Sequence, residues 1–185
     1  NSKGFHMEAR NEQNLHQQLA MALAAANSDS NEERNQATRW ILELKRTDPK
    51  NYTFLLIAHL SNSSNPTVTR ALSAVLIYNI LHMRTNDSQR RVNHQWVKNA
   101  SLEIREQLRV SSTMGLFDAS DIFSTQCANL LALFYAVELI HGQFQPQFNE
   151  MLNIIQNSPN IQERITGLEM LKRFTNILFS TMICY

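Results

Sequence analysis

Apolar residues recur at three- and four-residue spacing along nearly the whole chain, broken by short polar stretches, which is the pattern of successive amphipathic helices rather than strands. Leu15, Leu19, Ala22 and Leu23 mark a first helix, ended by Asn27-Ser28-Asp29-Ser30, whose side chains can cap the next one. A second helix carries Ala37, Ile41 and Leu44 and closes at Asp48-Pro49. A third, short helix holds Phe54, Leu55, Ile57, Ala58 and Leu60, and the polar run from Ser61 to Pro66 ends it. From Pro66 a fourth helix runs through Val68, Leu72, Val75, Leu76 and Leu81. A turn around Asn86-Asp87 leads to a longer fifth helix holding Val92, Trp96, Val97, Ile104 and Leu108, followed by a loop from Ser111 to Asp118. The stretch from Ile122 to Ile140 is apolar on most faces, which predicts a helix buried between neighbours and ended by Gly142. A short helix around Phe148, Met151, Leu152 and Ile155 stops at Asn157-Ser158-Pro159, and a last one holds Ile165, Leu168, Leu171, Phe174 and Leu178.

The pattern thus predicts an all-α chain of eight helices in four antiparallel pairs. The pairs recur at roughly 35 to 55 residues, near the period of about 40 to 47 of HEAT and armadillo repeats. The expected architecture is a right-handed α-solenoid of HEAT repeats, in which each pair buries its apolar stripe against the next and the inner helices line a concave face. The last residues, Phe179 to Tyr185, are strongly apolar and lack a polar capping helix, so the chain is expected to be truncated ahead of further repeats. Residues 1–6 have no periodicity and precede Met7; they are read as a vector remnant, and residues 7–185 as the repeat array.

Composition agrees with helices: Gly and Pro number four each, too few for a series of hairpin turns. Lys and Arg number 17 against 16 Asp and Glu, a balance that points to protein partners rather than nucleic acid or an anionic membrane surface. Cys127 and Cys184 stand apart, with no CxxC pair and no His in zinc spacing, as expected in a reducing compartment. No run of about 18 apolar residues is present, so no membrane insertion is expected.

Catalytic signatures are missing. There is no glycine-rich phosphate loop, GxSxG elbow or HExxH helix, and His6, His16, His59, His82, His94 and His141 stand singly. No catalytic residue, cofactor or metal is therefore assigned. Glu32-Glu33 falls in the first turn of the second helix, where the helix dipole favours negative charge. Arg90-Arg91 at a helix start reads as a solvated pair.

Particular strings go beyond periodicity. The run Arg70-Ala71-Leu72-Ser73-Ala74-Val75-Leu76-Ile77-Tyr78-Asn79-Ile80-Leu81 resembles the N-terminal motif of the importin-β (karyopherin-β) family: an Arg, small and aliphatic residues, then Lys-Asn and an aliphatic. Tyr78 stands where the family usually has Lys. Ala128-Asn129-Leu130-Leu131-Ala132, Glu138-Leu139, His141-Gly142 and Phe144 resemble the third-repeat B helix of that family and its following turn. The turn departs at Ile140, where Pro is usual, and at Phe144-Gln145-Pro146, which replaces Trp-Pro with one added residue. Gln95-Trp96 with Glu103-Ile104-Arg105 resembles the third-repeat A helix, and Ala37 and Ile41 fit the first repeat.

This resemblance implies a non-enzymatic nuclear transport receptor working in cytoplasm and nucleus, including the nuclear pore. Its N-terminal repeats would bind the small GTPase Ran in the GTP form, triggering cargo release. Importin-α adaptor or cargo and FG nucleoporins would bind mostly through repeats beyond this chain. It also implies a Ran contact at Arg39, Tyr78, Asn79 and Asn129. Asn79 has the alternative of a helix-interior amide bonded to a neighbouring turn, and Arg39 and Arg70 that of ladder residues bonded to carboxylates or carbonyls between repeats. Other karyopherins, an exportin or a transportin, and a static HEAT scaffold of a phosphatase or vesicle coat are the competing readings.

Overall fold

A computed structural model describes residues 2–82, 100–140 and 145–182. Among them are eight α-helices and no strand: α1 Ser2–Ala25, α2 Asn31–Thr47, α3 Pro49–Ser61, α4 Thr67–Leu81, α5 Leu102–Gly115, α6 Asp121–Ile140, α7 Gln145–Asn157 and α8 Ile161–Met182. The chain divides into two compact units, Asn1–Ser73 and Ala74–Tyr185.

In the first unit the polar breaks act as caps. Ser30, in the extended region, accepts from the backbone N–H of Glu33 and starts α2, whose first turn carries Glu32 and Glu33 and whose last turn carries Lys45 and Arg46. Both ends therefore suit the helix dipole. Asp48 serves two helices: its N–H bonds to Leu44 O at the end of α2, and its carboxylate accepts from Asn51 N, 3.2 Å away, to open α3 at Pro49. A 13-residue helix such as α3 is marginal alone in water, where about 12–15 residues are needed. Packing holds it. Tyr52, Leu55, Leu56, Ile57 and Leu60 are buried, and α1, with Leu19 and Leu23 fully covered, packs on both α2 and α3.

The end of α3 shows how the turn to α4 is specified. The last carbonyls of a helix lack intrahelical partners. Here Ile57 O accepts from Ser61 Oγ at 2.7 Å, Ala58 O from Asn62 N at 3.2 Å, His59 O from Asn65 Nδ2 at 2.9 Å and Leu60 O from Arg70 Nε at 2.9 Å. Arg70, from the motif string, is thus a buried donor to a helix-end carbonyl.

In the second unit α6 packs on both α5 and α8, and α7 packs on α8. Its side chains from Leu130 to Glu138 are all buried, as the apolar stretch predicts. Gly115 ends α5 against α6: a Cβ there would collide with Cys127 Sγ and lie 3.2 Å from Phe123 Cζ. Glycine is required by this approach.

Three expectations change. The fifth helix does not run unbroken from Val92 to Leu108, because Ser101 (φ −61°, ψ 155°) leaves helical geometry and caps a helix beginning at Leu102. Its Oγ accepts from Ile104 N at 3.2 Å; Asn86, Asp87, Arg90, Arg91, Val92, Gln95, Trp96 and Val97 lie outside the described residues. The expected loop from Ser111 is helical as far as Gly115, since Ser111 and Thr113 hydroxyls bond back to Gln107 O and Arg109 O and need no water. The first helix reaches back to Ser2, through the stretch read as lacking periodicity. On α8, Ile165 and Leu168 are exposed, while Met170 and Phe174 form the buried face, because α6 and α7 cover only that side.

Candidate protein-binding surface

Arg39 belongs to the first unit and Tyr78, Asn79 and Asn129 to the second. Arg39 is exposed on α2, two positions from buried Ala37 and Ile41 and so on the opposite side of the helix. Asn79 is exposed in the last turn of α4. Its neighbour Tyr78 is half-buried and stacks on His82 one turn later, with ring centroids 5.2 Å apart and an interplanar angle of 17°. Burial pushes the Tyr78 phenol above its usual pKa, and the position carries an aromatic ring where the family motif has a cation.

Asn129 lies half-buried on α6, between buried Ala128 and Leu130. Its Oδ1 accepts from Arg173 Nη1 of α8 at 2.7 Å. Sequence reasoning missed Arg173. The two are 44 positions apart, and the only hint was a cation beside the buried Phe174. A polar groove of about 350 Å³ adjoins this pair, lined by Asp118, Asp121, Thr125, Gln162, Glu169 and Arg173 among others. An apolar cavity of about 60 Å³ between α5, α6, α7 and α8 touches Leu131, Tyr135, Ile154 and Met170. That cavity is far below the roughly 300–1,000 Å³ of a ligand pocket. Among the described residues no group of three or more His, Cys, Asp or Glu side chains could hold a metal, and no helix is long and apolar enough to cross a membrane.

No protein-family model matches the chain, and no curated protein does. Solved structures do. A chain from the structure of Kap95p with RanGDP, where Kap95p binding induces the switch loops of RanGDP to adopt the GTP-bound conformation, superposes with a TM-score of 0.76 over 89% of this chain at 18% identity. Importin β crystallised in ammonium sulfate gives a TM-score of 0.70 over 84% at 17% identity, and a chain from a Kap95:Nup1 complex gives 0.75 over 86% at 17%. The fold is that of importin-β HEAT repeats. The chain spans about a fifth of these proteins, between 18% and 20% of their length.

The importin-β fold agrees with the resemblance drawn from the motif strings and sorts their residues. Arg70 and Glu138 are buried and bonded within the chain, Arg70 to Leu60 O and Glu138 to Arg105. Asn79 and Arg39 remain open to solvent. His141, Gly142 and Phe144, which carried the turn after the third repeat, lie outside the described residues.

Proposed function

We propose that this chain is part of an importin-β-like nuclear transport receptor and binds the small GTPase Ran in its GTP form, with release of cargo as the consequence. The observation that carries the reading is the likeness of 89% of the chain to Kap95p, whose structure with RanGDP has the switch loops in the GTP-bound conformation. Exposed Asn79 beside the Tyr78–His82 stack, exposed Arg39 and half-buried Asn129 are the side chains proposed to meet Ran. Residues 7–185 are read as the N-terminal repeat array of that receptor and residues 1–6 as a vector remnant. Importin-α adaptor or cargo and FG nucleoporins would engage repeats mostly beyond it, the latter in keeping with the Kap95:Nup1 neighbour. The receptor would work between cytoplasm and nucleus through the pore.

The mechanism is linkage. If Ran and cargo favour different curvatures of one repeat array, each weakens the other's binding by the same factor. Small rotations at successive repeat interfaces add along the array, so no hydrolysis by the receptor is needed.

The test is a calorimetric titration of the chain against Ran loaded with a non-hydrolysable GTP analogue or with GDP. Preference for the GTP form supports the reading. Equal affinity for both, or none, transfers the chain to the static-scaffold class.

A further inference from the structure

The bond between Arg173 and Asn129 restricts what Asn129 can offer a partner. A guanidinium has five N–H donors and no acceptor, so the amide oxygen must face Arg173 and the amide nitrogen must face away. The 2.7 Å separation is that of a charge-assisted bond, stronger than one between neutral groups. Both residues are anchored by their neighbours: Asn129 by Ala128 and Leu130, and Arg173 by Met170 and Phe174, which are 5% and 3% exposed. We infer that Arg173 is a positioning residue, fixing the Asn129 amide so that its NH₂ group is presented outward as a donor. This rests on the reading that Asn129 belongs to the Ran-binding surface.

The donor chemistry narrows the group that would be received. An amide NH₂ donates and does not accept, so the group matched to Asn129 is an acceptor on the partner, a main-chain carbonyl or a side-chain oxygen. A donor held in one orientation also loses less freedom on binding than a freely rotating amide, which is the physical gain from Arg173.

The same titration with Ran carrying the GTP analogue tests this, with thermal unfolding of every variant measured alongside. Asn129→Asp keeps an acceptor for Arg173 and hence the fold, but cannot donate to a partner. It should bind roughly five- to tenfold more weakly with no drop in melting temperature, as loss of one interfacial hydrogen bond predicts. Arg173→Leu should weaken binding to a similar degree, Arg173→Lys should recover most of the loss, and Arg173→Leu/Asn129→Ala should be no weaker than either single change. If Arg173→Leu lowers the melting temperature but the folded protein binds with unchanged affinity, or if Asn129→Asp binds like the unaltered chain, Arg173 is structural and the inference fails. If the unaltered chain does not bind Ran, the functional reading fails first and this inference with it.

Discussion

Arg105 Nη1 stands 3.1 Å from both carboxylate oxygens of Glu138, joining α5 to α6 across 33 positions of sequence. The side chains are only 14% and 9% exposed, so the ion pair is largely shielded from water. Removing one member of such a pair costs roughly 3–5 kcal/mol, because the remaining buried charge loses its opposite. Glu138→Ala should fall near the lower end of that range, since Arg105 keeps some contact with water. Urea unfolding would measure it. The double change Arg105→Met with Glu138→Leu should recover most of the loss, because replacing a buried pair by apolar groups is close to neutral.

His59 makes stability depend on pH. It is 5% exposed, and its Nε2 lies 3.0 Å from Thr69 Oγ1, which itself donates to Pro66 O at 2.9 Å. The Thr69 hydroxyl can both donate and accept, so it pairs with Nε2 of the neutral imidazole in either tautomer. Burial, with Arg70 and His16 adding positive charge nearby, pushes the imidazole from its usual 6.5 down to about 4. The unfolded chain therefore binds this proton more readily than the folded one. Stability from neutral His59 is complete above pH 6.5 and is lost as pH falls toward 4, to the extent of about 3 kcal/mol. Unfolding free energies measured across this range for the unaltered chain and for His59→Asn should diverge in slope, with the variant the flatter. Parallel slopes would show that His59 is protonated in the folded state.

Gly115 is held by its neighbours. Gly115→Ala places a methyl against Cys127 Sγ and within 3.1 Å of Cys127 Cβ, and overpacking of this kind costs roughly 1–3 kcal/mol. Ordinarily Gly→Ala in a helix gains up to about 1 kcal/mol, so the expected sign is opposite to propensity. Adding Cys127→Ala removes the sulfur and should restore part of the loss, read as a shift in the midpoint of thermal unfolding.

Asn79→Ala should separate binding from folding. The side chain is exposed at the end of α4, so its removal should change stability by no more than about 0.5 kcal/mol. Affinity for Ran carrying a GTP analogue should nevertheless fall roughly five- to tenfold, the effect of one interfacial hydrogen bond. An unchanged affinity would remove Asn79 from the proposed contact.

Legibility followed the range of the interactions. The helices around Leu19, Ile41, Leu56 and Leu130, and the breaks at Ser30, Asp48 and Asn157, were readable because periodicity and capping act within a few residues. Ser101 and Ser111 were harder, since the same hydroxyl can start a helix or bond back inside one. At Ser101 it accepts Ile104 N–H, whereas at Ser111 it donates to Gln107 O. Asn79 and Arg39 came from motif and resemblance, and the structure could add only that both are exposed.

By itself the sequence determined that the chain is helical, where most helices begin and end, and which repeat class they form, because each of these depends on local spacing and capping. Only the tertiary structure decided which face of α8 is buried, that Gly115 must be glycine, and that Arg105 finds Glu138 and Arg173 finds Asn129. Those outcomes depend on which helix lies opposite, and a repeat spacing shared by every helix does not specify its partner.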